Sequence, residues 1–116
     1  MKKRICNHEE LEALVESAIA RTPHASDIHD TVKSIHEYVS EKLDFEIHRV
    51  DWFFRQGNPS RSVWVTYNGS TFYFHYDPRS RNILMKENGR GGTPLAEFSG
   101  NELDVKIHAK LIERFG

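Results

Sequence analysis

Residues 62–76 read Ser62-Val63-Trp64-Val65-Thr66-Tyr67-Asn68-Gly69-Ser70-Thr71-Phe72-Tyr73-Phe74-His75-Tyr76. Two runs of β-branched and aromatic residues flank Asn68-Gly69. That dipeptide is a strong hairpin signal, because both central positions of a type I′ turn need positive φ. A two-residue turn fixes register, and register fixes which side chains share a face. Tyr67 then faces Ser70, Val65 faces Phe72 and Val63 faces Phe74. Between these pairs Thr66 meets Thr71, Trp64 meets Tyr73 and Ser62 meets His75. One face is purely apolar and the other is mixed, carrying indole, phenol, hydroxyl and imidazole groups.

Downstream, Asp77-Pro78-Arg79-Ser80 is a turn signal, and residues 81–86 read as a further strand. A turn at Pro78-Arg79 pairs Phe74 with Ile83 and Phe72 with Met85 on the apolar face. It also pairs Tyr73 with Leu84 and His75 with Asn82 on the mixed face. Upstream, residues 45–54 read as a strand, followed by a loop over Gln56-Gly57-Asn58-Pro59-Ser60. Val50 and Trp52 go to the apolar face, and Arg49 and Asp51 to the mixed one. Phe45 and Ile47 have the opposite parity, so a bulge or bend is expected near His48.

Apolar residues at helical spacing precede and follow these strands. Leu11, Leu14, Val15, Ala18 and Ile19 form the stripe of a first helix over about residues 9–20, with Asn7 as N-cap, Glu10 three residues on, and Thr22-Pro23 ending it. Ile28, Val32, Ile35, Val39 and Leu43 mark a second helix over about residues 27–43, capped by Ser26. Residues 87–98 read as a glycine-rich loop. A third helix starts near Asn101, capped by Ser99 with Glu102 in the capping-box position, and carries Leu103, Ile107, Leu111 and Phe115 with Ile112 beside them. The expected fold is a single α+β domain over residues 1–116. It is a two-layer sandwich of a four-stranded antiparallel meander and helices in the order α-α-β-β-β-β-α. Helix three packs either on the apolar face or over the mixed one. This order resembles the curled-sheet ligand-binding architectures of the cystatin-like and nuclear-transport-factor-like cones, a resemblance of architecture that carries no site.

Composition narrows the function classes. The chain has 116 residues, 38% hydrophobic and 11% aromatic, which suits one domain with a true core. The formal net charge of −1 gives no global field toward nucleic acid or membrane. No apolar run approaches the ~20 residues that span a bilayer, and the basic start, Lys2-Lys3-Arg4, has no apolar stretch behind it. A single cysteine, Cys6, excludes an internal disulfide and fits a reducing compartment. A cytoplasmic location is the expectation.

The candidate chemistry lies in two places. On the mixed face Trp64 and Tyr73 offer stacking platforms, with His75, Arg49 and Asp51 as polar contacts; a partner protein or a second copy of the chain is the first occupant to consider. His75 and Asp51 are also the one acid/base pairing the strand order suggests, though no nucleophile accompanies them. At one end of the sheet the loop after the first strand and the turn after the third bring together Arg55, Arg61, Arg79 and Arg81, a rim suited to an acidic partner or an anion. Nucleic acid is disfavoured there because no recognised motif or basic helix accompanies the rim. No helical i, i+4 pair occurs among the seven histidines, so no metal site is expected, and no cofactor is indicated. Asn88-Gly89-Arg90-Gly91-Gly92-Thr93-Pro94 lacks the lysine and hydroxyl ending of a phosphate loop and reads as a connector. The leading function is a small non-catalytic accessory or binding protein. A small-molecule-binding protein or small enzyme with a pocket between sheet and helix is one alternative, and nucleic-acid or anion binding at the arginine rim is another.

Overall fold

The computed structural model describes residues 1–21, 26–87 and 93–116, apart from the side chains of Ser26 and Asp27. The elements are β1 (Lys2–Ile5), α1 (His8–Ala20), α2 (Ser26–Lys42), β2 (Arg49–Arg55), β3 (Asn58–Tyr67), β4 (Ser70–Asp77), β5 (Asn82–Glu87), β6 (Pro94–Phe98) and α3 (Asp104–Phe115). The fold is α+β, with an antiparallel sheet packed against helices as expected. The sheet, however, has six strands in the order β1-β2-β3-β4-β5-β6 rather than four. The element order is therefore β-α-α-β-β-β-β-β-α. No helix among the described residues is long and apolar enough to cross a membrane.

The central hairpin has the register read from Asn68-Gly69, with Tyr67 opposite Ser70, Val65 opposite Phe72 and Val63 opposite Phe74. Asn68 and Gly69 have φ of 48° and 86°, as a type I′ turn needs. Gln56-Gly57 makes a second such turn, with φ of 52° and 80° and Arg55 paired to Asn58. The segment expected to be a five-residue loop is thus a tight hairpin, and β3 starts at its end. The next turn is longer than expected: Asp77 pairs with Asn82, so Phe74 meets Met85 and His75 meets Leu84. Asp77 accounts for this. Its carboxylate accepts from the Arg79 amide and the Ser80 hydroxyl, and its carbonyl from the Arg81 amide at 2.7 Å, with Arg81 in the left-handed region. The register differs by two residues, so every side chain keeps its expected face.

β2 starts at Arg49, not near Phe45. Residues 45–47 are a turn, with the Ile47 and His48 amides both donating to the Asp44 carbonyl. The bend lies just before His48, whose ring accepts from the Asp44 amide at 2.9 Å. The register shift in β2 falls later, between Trp52 and Phe54.

Each unexpected edge strand is fixed by one core side chain. Ile5 of β1 is 1% exposed and sits opposite Val50, while Phe98 of β6 is fully buried opposite Ile83. Fully burying such a side chain is worth about 1.5–3 kcal/mol, which adds to the ladder hydrogen bonds with β2 or β5 in offsetting the entropy of ordering the strand. All three helices pack on the apolar face, where Leu11, Ile28, Leu43, Ile107 and Phe115 join Val50, Val65, Phe72 and Phe74. The position of α3, open in the sequence, is settled by Phe115, whose ring lies 5.0 Å from that of Phe72. α3 itself starts at Asp104, with Leu103 as N-cap and no side-chain cap; the expected Ser99 cap is not made. Ser99 instead accepts at its carbonyl from Thr31 at 2.7 Å, and Glu102 pairs with Lys110. Leu103 and Ile112, expected within or beside the stripe, are 63% and 55% exposed.

Candidate functional site

The mixed face carries no helix among the described residues. Its register brings Asp51, Trp64 and Tyr73 side by side across β2, β3 and β4. Trp64 and Tyr73 have ring centroids 4.9 Å apart, and His75 stacks on Tyr73 at 4.9 Å. The sequence-derived set is thus assembled on one surface, but its chemistry is largely occupied. Trp64 and Tyr73 are 6% and 5% exposed, and neighbours on the same face lie against them. The Lys2 ammonium stands 4.0 Å above the indole, and Phe53 approaches it edge-on at 6.5 Å. Arg49 grips Asp51 with two bonds, Nε to Oδ2 at 2.9 Å and Nη2 to Oδ1 at 3.2 Å.

Asp51 and His75 do not form a pair. They lie two strands apart, with Asp51 opposite Trp64 and His75 opposite Ser62, so roughly 10 Å of sheet separates them. Proton transfer between them would need a substrate or water chain to bridge that gap.

The arginine rim is brought together only in part. Arg55, Arg79 and Arg81 lie at the end of the sheet formed by the β2–β3 and β4–β5 turns. Arg21, at the end of α1, joins them through a bond to Asn58 at 3.2 Å. Arg61 leaves the rim. It lies within β3 on the helix-facing side, with its guanidinium 5.3 Å from the Tyr76 ring centre.

That position borders a feature the sequence did not reveal. Between the α1–α2 hairpin and the sheet is a partly open cavity of about 140 Å³, lined almost wholly by carbon. Val15, Val32 and Val39 of the helices face Val50, Val63 and Val65 of the sheet across it. Short, branched side chains on both layers leave the space between them unfilled. Ala18 and Ile19 of α1, Ile28 and His29 of α2, and Arg61 and Tyr76 of the sheet also border it. His36 lines it from α2, and burial lowers its pKa below the usual 6.5, so the ring is neutral at neutral pH. The one sequence signal for this cavity was valine opposite valine, which periodicity alone cannot tell from ordinary packing.

Among the described residues no three histidine, cysteine, aspartate or glutamate side chains gather to hold a metal. The residues of the glycine-rich connector, 88–92, and His24 lie outside the described residues. Cys6 is exposed, beside a helix start that Asn7 caps by accepting from the Glu10 amide at 2.8 Å. No protein-family model matches the chain, and a search of curated proteins finds no similar one.

Proposed function

We propose that this chain is a non-catalytic binding protein that takes a small apolar molecule into the cavity between the α1–α2 hairpin and the sheet. The observation that carries this reading is the cavity itself, about 140 Å³ and lined by carbon. Protein interiors are close-packed, with few voids larger than a water molecule. An unfilled space of this kind leaves the apolar side chains around it short of packing partners, which costs stability. Water does not repay that cost, because an ordered water needs two to four polar partners and this lining supplies almost none. An apolar ligand does repay it, and dry cavities of roughly 150 Å³ hold a benzene ring.

The test is a thermal melt with toluene or indole at saturating concentration. Binding to the folded state alone raises Tm with ligand concentration, and amide shifts should move at Val32, Val39 and Val63. An unchanged Tm together with unmoved cavity amides would overturn the reading.

A second reading is association through the mixed face, with a partner protein or a second copy. Trp64, Tyr73 and Leu84 are grouped there in adjacent strands, each at most 8% exposed, with no helix among the described residues over them, and aromatic clusters of this kind commonly anchor interfaces. Light scattering tests it: a dimer that Tyr73→Lys splits without unfolding supports it, and a monomer at all concentrations removes self-association.

A further inference from the structure

We propose that the cavity's ligand is a small carboxylate, with an apolar body about the size of a phenyl ring among the valines and its carboxylate held at the mouth by Arg61. This rests on the reading of the cavity as a binding site and adds the charge of the ligand to it.

Three observations converge on Arg61. First, its place in the strand puts it on the helix-facing side with Val63 and Val65, and it borders the cavity while remaining exposed. A residue that is both lines the opening. Second, its guanidinium has no acidic partner among the described residues. The ion pairs there are Arg49–Asp51 and Lys110–Glu102, and the contact Arg61 makes is with the face of Tyr76. Stacking on a ring holds the planar group in place without using its N–H donors, which leaves them for a bidentate carboxylate. Third, the surroundings favour an anion. Ile28 and His29, in the first turn of α2, line the same cavity, so the positive end of that helix is near. Arg21 is close by, bonded to Asn58 at the start of β3. Asp77, the nearest carboxylate on β4, has both oxygens engaged by its own turn.

The interior sets the other half of the ligand. A carboxylate cannot enter a carbon-lined space without losing its hydration, so the charge must stay at the mouth while the body goes in. The volume admits about six carbons.

The experiment compares phenylacetate with its neutral isostere phenylacetamide by NMR titration, on the wild type, Arg61→Gln and Arg61→Lys. The wild type should bind phenylacetate about three- to tenfold more tightly, with shifts at Val32 and Val63. Arg61→Gln should abolish the preference without weakening phenylacetamide, and Arg61→Lys should restore part of it. Equal affinities in the wild type, or a preference that survives Arg61→Gln, would overturn the assignment of charge while leaving the cavity reading intact. Failure of both compounds to move cavity amides would sink the cavity reading and this inference together. A preference whose shifts map to the mixed face would overturn the inference as well. Arg61 is exposed, so its replacement leaves the fold in place, and unchanged circular dichroism checks this.

Discussion

The hydroxyl of Tyr67, at the end of β3, donates to the carbonyl of Phe115, in the last turn of α3, at 3.1 Å. Tyr38 of α2 does the same for Gly116 at 3.1 Å. The last carbonyls of a helix have no partner within it, and here two phenols from different layers supply one each. Tyr67→Phe should cost about 0.5–1.5 kcal/mol, the net worth of one hydrogen bond, because its ring contacts with His48 and Phe115 remain. Phe115→Ala, at a residue 1% exposed, should cost about 3–5 kcal/mol. Urea denaturation measures both, and equal losses would show that the hydroxyl matters as much as the packing.

Filling the cavity should stabilise the protein. Ala18→Leu adds three carbons on the α1 side of the space and should gain about 1 kcal/mol, or about 4 °C in Tm. The same variant should lose the Tm rise that toluene gives the wild type. A lower Tm for Ala18→Leu would mean that the layers already touch there.

The Lys2–Trp64 contact can be isolated by a double-mutant cycle. With the ammonium 4.0 Å from the ring centre, Lys2→Met and Trp64→Leu should show a coupling of about 0.5–1 kcal/mol. Strict additivity would show that the lysine merely lies over the indole.

His36 should make stability fall with acid. Burial is the main cause lowering its pKa from 6.5 and His8 adds to it, while Glu12, Glu37 and Glu16 oppose it. The unfolded chain therefore takes up the proton at a higher pH than the folded one. The contribution of His36 is complete above 6.5 and declines as pH falls through 6.5 toward the folded value. A ring titration by NMR should give a midpoint below 6.5. His36→Gln should flatten the fall in Tm between about pH 7 and about pH 5.5. A midpoint above 6.5 would mean that the glutamates outweigh burial.

What was legible in the sequence follows from how each element is specified. Asn68-Gly69 carries its own turn geometry, so the β3–β4 register and both faces were readable from it alone. The helical stripes are plain as well, because a 3.6-residue period needs no partner to be recognised, although in α3 the buried stripe is Ile107, Leu111 and Phe115 without Leu103 or Ile112. The edge strands were not legible. Lys2–Ile5 has three charges and one apolar residue, and Pro94–Phe98 opens on a proline after a run of glycine. Each is a strand because Ile5 or Phe98 finds a core place that only the tertiary fold provides. Trp64 and Tyr73 share a surface because the hairpin register puts them opposite each other, yet the burial of Trp64 beneath Lys2 depends partly on β1. The sequence puts Arg61 at the rim because residues 56–60 read as a loop; the tight Gln56-Gly57 turn instead places it inside β3 and at the cavity.

The pairing of β1 also bears on the order in which the molecule assembles. β2 and β3, and β3 and β4, meet across turns of two residues, so that part of the sheet can zip up locally at little entropic cost. β1 has no such neighbour in sequence. Lys3 reaches Trp52 only across the whole helical hairpin, so this pairing closes a loop of about fifty residues and carries the larger entropic cost. The edge that completes the sheet and the layer that roofs the cavity are thus tied together by one long loop closure.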